Sequence, residues 1–380
     1  MNLLDKIVKF FDKFNTTLNQ FLENKFWLLA ITAIALISSL FLASPNLSTD
    51  RTEISTKRAT AVAMQIEDLQ LFWETSEPTN AMFRITVPLI AHVLGIGLKG
   101  TLALQFLTGI LIFVTVGALI ERETGDRLLA FYATLLVGFI YPGTAGFLET
   151  RYYFDSFAYL FLLAALWFRT PFLIFFLIVL AGFTDERAVI ASGFVFIWWV
   201  IKEGGDYSKL KAFFNKQSVA VVVGVFTYIG IRLLLQHRFG IETRAEARSE
   251  FGLFEHINNS VMGIWSGLEG GWLLVGLAVI ALAVKKRWLP LLVFVCVITV
   301  QIIGALAVVD ITRSMGYLLP CIMVAILTLK TEKEVNLNLY LIVSCFISLV
   351  ALNYGAGGKS SIWLFYPFPL QLLRFLIGRG

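Results

Sequence analysis

The sequence predicts an all-α polytopic membrane protein, and its composition and hydropathy both indicate this class. Of its 380 residues, 58% are hydrophobic and only 15% are charged, with a mean hydropathy of +0.78. Soluble domains contain about 45–50% apolar and about 25% charged residues. This excess of large apolar side chains excludes a soluble globular enzyme, and it also excludes a disordered chain.

The order of apolar and polar stretches predicts three regions. Residues 1–25 alternate lysines with apolar side chains at helical spacing, which is typical of an amphipathic helix lying in the membrane surface. Residues 26–352 form a single transmembrane domain, and 353–380 form a C-terminal interfacial segment. Two long connections interrupt the transmembrane domain, at 45–84 and 237–259. Periodicity within the first connection predicts a helix over about 56–73.

We predict about eleven transmembrane helices, within a range of 10–12, because crossing a hydrocarbon core of about 30 Å takes about 17–25 residues. The stretch 85–98 is short and contains Pro88, Gly95 and Gly97, so we interpret it as interfacial or re-entrant. The predicted spans are 26–44, 101–121, 128–147, 153–168, 171–184, 187–201, 218–236, 267–284, 288–308, 314–329 and 336–352.

Positive residues set the predicted orientation, since cytoplasmic loops are enriched in lysine and arginine. Two clusters of positive residues lie on the same predicted side of the membrane. One follows the span that ends near 201, and the other follows the span that ends near 284. They contain Lys202, Lys209, Lys211, Lys216, Lys285, Lys286 and Arg287. With these clusters and the N-terminus inside, most carboxylates fall on the outer side. Chemistry is therefore expected at the outer face.

Ionisable residues that abut the spans are the candidate functional residues, because a charge at mid-bilayer costs roughly 2.5–3.5 kcal/mol on insertion scales. Four groups lie at span ends on the predicted outer side, and this coincidence predicts one polar cavity. Two further arginines lie at the end of the first outer loop and near the outer end of the seventh span. These residues are Asp50 with Glu53, Arg151 with Asp155, Asp185 with Glu186 and Arg187, Asp310 with Arg313, and then Arg84 and Arg232.

Each group also has a structural interpretation that the sequence leaves open. Asp310 and Arg313 have the spacing of a helix-end ion pair. The Asp185–Arg187 turn is equally typical of a solvated loop. Asp155 has the position of a helix cap, and Asp50 that of an ordinary loop acid.

The arrangement resembles the GT-C glycosyltransferases, which are membrane enzymes that use polyprenyl-phosphate sugars. The shared features are a first span followed by an outer loop with an early acid, here Asp50, and then many short spans. The segments FRITVPLIAHVLG, YYFDSFAYLFLLAALW, LAGFTDERAVIA and RSMGYLLP are similar to motifs of bacterial members. The spacing Asp50-Arg-Thr-Glu53 and the order Asp185-Glu186-Arg187 depart from the family pattern.

This resemblance implies transfer of a sugar from a polyprenyl-phosphate donor to an acceptor hydroxyl, at the periplasmic side of the bacterial inner membrane. Such a reaction needs a carboxylate general base and a cation for the leaving phosphate. Asp50 is the first choice of base, followed by Glu53, Asp185 and Glu186. Arg313 is the first choice of phosphate ligand. The remaining substrate-binding candidates are Arg187, Arg84, Arg232, Asp155, Arg151 and Asp310.

Other functions remain open at this stage. A secondary transporter or flippase for a lipid-linked or small polar solute is the main alternative, and an O-antigen-type polymerase is the second. A membrane protein without chemistry is a further alternative. No cofactor and no nucleic-acid partner are expected, and the cysteines and histidines show no metal-ligand spacing. A divalent metal is not supported, and the oligomeric state is not predicted.

Overall fold

The computed structural model describes residues 3–43, 53–75, 80–203, 213–241, 257–308, 310–332, 335–351, 354–356, 362–364 and 367–377. Over these residues the fold is all-α, as the sequence predicts, apart from one antiparallel hairpin of strands β1 (Tyr354–Ala356) and β2 (Ile362–Leu364). The predicted second loop, 237–259, is described only at its two ends.

The N-terminal part contains a helix pair, then two helices in the first loop, and then a short helix over 86–94. A 120° bend separates the N-terminal helix from the first apolar helix. The helix predicted over about 56–73 is present as two helices that break at Asp68. The stretch 85–98 contains a helix of nine residues, too short to cross a bilayer. These helices are α1 (Leu3–Leu22), α2 (Trp27–Leu42), α3 (Glu53–Glu67), α4 (Leu69–Thr75) and α5 (Thr86–Leu94).

The remaining helices build the bundle and the C-terminal segment. They are α6 (Leu98–Thr124), α7 (Arg127–Phe139), α8 (Tyr141–Leu148), α9 (Asp155–Trp167), α10 (Pro171–Thr184), α11 (Arg187–Glu203), α12 (Lys216–Phe239), α13 (Ile257–Leu268), α14 (Gly271–Val284), α15 (Trp288–Leu306), α16 (Ile311–Met315), α17 (Leu319–Lys330), α18 (Leu337–Val350) and α19 (Phe368–Leu376). A 3-10 turn, Gly316–Leu318, joins α16 to α17.

Four helical stretches among the described residues are long and apolar enough to cross a membrane, and the number rises to seven if each bent pair is one span. The predicted span over 128–147 is such a pair, because α7 and α8 meet at 56°. Three further apolar helices, α9, α10 and α18, are shorter than a full crossing. The total of eleven therefore stays a prediction.

The continuous stretch of α16, the 3-10 turn and α17 is the central helix of the bundle. Its apolar window is completely buried, although it has the length and hydropathy of a membrane span. Helices α9, α11, α14 and α15 pack around it. The residues at its start are therefore enclosed by protein on all sides.

The outer helices present large apolar side chains to their surroundings. Phe172, Phe226, Ile37 and Leu292 each expose 60% or more of their surface. In water such a belt would be costly, whereas lipid tails solvate it. This surface supports a membrane location.

The two ends of the bundle carry different charged groups. At the end where α6, α11 and α17 finish, Glu123 accepts hydrogen bonds from Lys202 and Arg122, and Lys330 donates to the Glu123 carbonyl. Helix α11 has 17 residues, with Arg187 at its start and Lys202 near its end. The lysine cluster and the predicted polar cavity therefore lie at opposite ends.

The bend between α7 and α8 depends on close contact at Gly143. A Cβ atom there would lie 1.9 Å from the backbone oxygen of Val137. Since backbone cannot move aside easily, we expect Gly143→Ala to lower the free energy of unfolding by about 1–3 kcal/mol. Gly276→Ala in α14 is the control, because no atom lies within 4 Å of its added Cβ. Equal apparent melting temperatures of the two variants in detergent would contradict this packing.

Candidate active site

Three of the four predicted charged groups converge at the start of the central helix. Asp155 is the first residue of α9, Asp185 follows α10, and Arg187 is the first residue of α11. Arg313 lies on α16 and reaches all of these segments. Residues separated by up to 158 positions are thus in direct contact.

Asp155 is the centre of this cluster, and its side chain is fully buried. Arg313 holds it with two nitrogens: Nε donates to Oδ2, and Nη2 donates to Oδ1 at 3.0 Å. The hydroxyl of Tyr317 also donates to Oδ1, at 2.8 Å, and Arg187 Nη2 lies 3.4 Å from the same oxygen. A bidentate pair of this kind is among the strongest charged contacts in proteins.

Asp185 is equally buried and is bound by arginines from two other segments. Arg187 donates through Nε to Oδ1 at 2.7 Å and through Nη2 to Oδ2 at 2.6 Å. Arg84, at the end of the first loop, lies 3.0 Å from Oδ2. Arg187 also donates to the hydroxyl of Ser314 at 2.9 Å, which ties this group to the central helix.

Two further carboxylates form the rim of the cluster. Arg84 Nη2 lies 3.1 Å from Glu186 Oε1, and the side chain of Glu186 is 29% exposed. Asp310 lies 3.3 Å from Arg313 Nη1 and exposes 28%. Four carboxylates therefore face three guanidinium groups, and the cluster carries a formal charge of −1.

Tyr153 connects this cluster to the first loop. The guanidinium carbon of Arg313 lies 3.4 Å from its ring centroid, and that of Arg58 on α3 lies 3.5 Å from the same centroid. Two planar cations at such distances must occupy opposite faces of the ring. The flanking residues Tyr152 and Phe154 have φ values of +62°, a region that side-chain-bearing residues rarely adopt. The stack therefore holds a strained loop over Arg313.

Arg232 supplies a cation beside the cluster that no described carboxylate neutralises. Its Nη1 donates to the hydroxyl of Tyr228 at 2.8 Å, and its guanidinium lies 4.5 Å from the ring centroid of Phe83. Phe83 precedes Arg84 in the chain. Arg232 thus contacts the segment that carries Arg84, and Arg84 exposes 22% of its side chain.

Sequence reasoning missed Glu149 as a site residue. It follows α8, is largely buried, and accepts a hydrogen bond from the hydroxyl of Tyr141 at 3.0 Å. The charges of Arg313, Asp155 and Asp310 all act on it. Its place at a span end, two residues before Arg151, was the signal available in the sequence. Arg58 was missed because it lies inside a surface helix.

The remaining predicted site residues are Asp50, Glu53 and Arg151. Asp50 is outside the described residues. Glu53 begins α3, and the position of its side chain is likewise outside the described part of the chain. Arg151 is described and is exposed to the surroundings.

The geometry also tests the structural interpretations of Asp155, Asp185 and the pair of Asp310 and Arg313. Asp155 makes no capping hydrogen bond at the start of α9, so the cap interpretation is wrong. A solvated turn is wrong for Asp185, which is fully buried. The ion pair between Asp310 and Arg313 is present, but Arg313 also binds Asp155.

The environment of Asp185 makes it a poor base. Burial alone would raise the pKa of its carboxyl, but Arg187 and Arg84 outweigh burial and hold the pKa well below its ordinary value. An acid with a lowered pKa stabilises the fold fully above its unfolded pKa of about 3.9, and the stabilisation is lost as the pH falls towards the folded pKa. We therefore expect the difference in melting temperature between wild type and Asp185→Asn to stay constant from pH 8 to 5. It shrinks only below about pH 4, and shrinkage already at pH 6 would contradict the arginine contacts.

Among the described residues, no group of three or more histidine, cysteine, aspartate or glutamate side chains is arranged to hold a metal ion. The charged contacts here are arginine–carboxylate pairs instead. Such a site can bind anions through arginine and can accept protons at carboxylates that are not already paired.

No family model, curated protein or solved structure matches this chain.

Proposed function

We propose that this protein is a membrane glycosyltransferase of GT-C type, which transfers a sugar from a polyprenyl-phosphate donor to an acceptor hydroxyl. We place the reaction at the outer face of the bacterial inner membrane. The observation that carries the proposal is the convergence of Arg84, Asp155, Asp185 and Arg313 in one network at one end of an apolar bundle. A lipid-linked anionic donor needs such a charged region at the membrane boundary.

The arginines differ in their capacity to bind the donor phosphate. Arg313 and Arg187 are already neutralised by buried carboxylates, so contact with phosphate would require breaking those pairs. Arg232 has no described carboxylate partner. Arg84 is paired with Asp185 and Glu186, but it exposes 22% of its side chain, against 10% for Arg187 and 7% for Arg313. We therefore assign the phosphate to Arg84 and Arg232, where charge developing on the leaving group is stabilised. Arg313, Arg187 and Asp155 hold the framework beneath.

A panel of undecaprenyl-phosphate sugars tests the proposed function. Purified protein in nanodiscs is incubated with the phosphate-linked forms of glucose, mannose, galactose and arabinose, and release of free sugar to water is measured. We expect binding of undecaprenyl phosphate but not of undecaprenol, and slow cleavage of at least one donor. Cleavage of none of the donors would overturn the proposal, and equal binding of both lipids would contradict the assigned phosphate contact.

A secondary transporter is the second candidate function, and the bent helix pairs favour it. Helices α13 and α14 meet at 86°, and interrupted spans are typical of transporters. Against it, the charged network lies at one end of the bundle rather than near its middle. Vectorial uptake of a polar solute into liposomes, without cleavage of any donor, would favour this alternative.

A further inference from the structure

We infer that Glu149 is the general base of the proposed reaction, because it alone among the carboxylates described at this site contacts no guanidinium group. This inference rests on the proposed function. Asp155, Asp185, Glu186 and Asp310 are each in an arginine ion pair. The arginine held against each of these carboxylates competes with an incoming proton for the carboxylate oxygens.

The surroundings of Glu149 differ from those of the other four acids. Its hydrogen-bond donor is a neutral phenol, the hydroxyl of Tyr141 at 3.0 Å from Oε1. Its backbone is fixed by buried Gln105, whose Nε2 donates to the Glu149 carbonyl at 2.6 Å. The carboxylate is thus positioned by neutral groups, and part of the residue remains exposed, which allows a proton to leave to water.

The electrostatic environment matches the task. Burial raises the pKa of Glu149, the charge of Arg313 lowers it, and Asp155 raises it again, so that the net pKa lies above the ordinary value. A carboxylate with a raised pKa accepts a proton more readily at neutral pH. Asp185 has the opposite shift.

The position of Glu149 also suits an inverting displacement. The charge of Arg313 acts on Glu149 and on Arg84 alike, so both lie within electrostatic range of the central arginine. In-line attack places the acceptor oxygen and the leaving oxygen on opposite sides of the anomeric carbon. Glu149 follows α8, whereas Arg84 precedes α5 and Arg232 lies on α12, and we assign the base and the phosphate ligands to these two sides.

In the proposed transfer, one bond to the anomeric carbon forms and one breaks. The acceptor oxygen forms a bond to the anomeric carbon while its proton passes to Glu149. The bond from that carbon to the phosphate oxygen breaks, and its electron pair leaves with polyprenyl phosphate, held by Arg84 and Arg232. Glu149 then returns its proton to water.

The test compares Glu149→Gln and Glu149→Asp with Glu67→Gln, which removes an exposed carboxyl on α3. The assay is cleavage of the undecaprenyl-phosphate sugars, together with binding of undecaprenyl phosphate. We expect Glu149→Gln to lower kcat by about 100-fold or more and to leave phosphate binding within twofold. Glu149→Asp restores part of the rate, and Glu67→Gln matches wild type.

A pH profile separates a catalytic from a structural role. The wild-type rate falls as the pH drops through the pKa of the base, and this acidic limb is absent from the residual rate of Glu149→Gln. If wild type cleaves a donor and Glu149→Gln cleaves it within threefold as fast, the role of Glu149 is overturned while the proposed function stands. If wild type cleaves none of the donors, the proposed function fails and the role of Glu149 fails with it.

Discussion

Asp155→Asn is expected to lower the free energy of unfolding by about 3–5 kcal/mol, because it leaves Arg313 and Arg187 buried with fewer negative partners. The Asp155 side chain is completely buried and accepts hydrogen bonds from Arg313, Arg187 and Tyr317. The measurement is thermal unfolding of detergent-purified protein, with size-exclusion chromatography to quantify the folded fraction. The amide is close in volume to the carboxylate, so packing is preserved.

Asp310→Asn is the matched control, since it removes another acid that contacts Arg313. The Asp310 side chain is 28% exposed and makes a single contact at 3.3 Å. Ion pairs of this exposed type contribute about 0–1 kcal/mol. If the two variants lose comparable free energy of unfolding, the buried contacts of Asp155 contribute no more to stability than the exposed contact of Asp310.

Arg232→Gln is expected to weaken binding of undecaprenyl phosphate by about 10-fold to 150-fold, which corresponds to about 1.5–3 kcal/mol for a hydrogen bond to a charged group. The reason is that Arg232 carries a charge that no described carboxylate offsets, and that it contacts Phe83, the residue before Arg84. Native mass spectrometry with undecaprenyl phosphate measures the affinity. The free energy of unfolding should change little, because the substitution removes a single hydrogen bond, the one to Tyr228.

Arg238→Gln controls for loss of charge on the same helix. Arg238 lies in the last turn of α12 and is exposed. We expect its removal to change the affinity less than threefold. If both variants weaken binding equally, long-range attraction by the helix end explains the affinity and Arg232 has no direct contact.

Much of the fold was predictable because apolar runs and charged breaks are local features. The break FTDERAVI between α10 and α11 shows this, since charges next to apolar stretches mark a helix end. The bends were not predicted. The break inside the predicted span 128–147 lies at Ile140, and Pro142 and Gly143 follow it in the first turn of α8. The bend depends on contact of Gly143 with the backbone of Val137, which only packing determines.

The sequence predicted which residues form the site, but it did not predict which of them pair with each other. Asp155, Asp185 and Arg313 stood out because each charge abuts an apolar stretch, and the structure brings all three together. The sequence favoured Arg313 as phosphate ligand, yet Asp155 neutralises it across 158 positions of chain, a contact that no local pattern encodes. Glu149 was missed for the same reason, since its importance lies in the absence of an arginine partner.

The most direct test of the central claim is a structure of the protein in lipid nanodiscs with undecaprenyl phosphate bound. We predict that the phosphate lies within hydrogen-bond distance of Arg84 or Arg232 and that the ion pair between Asp155 and Arg313 remains intact. Phosphate bound instead at the opposite end of the bundle, among Lys202 and Lys330, would contradict the account, as would an empty charged network at saturating lipid.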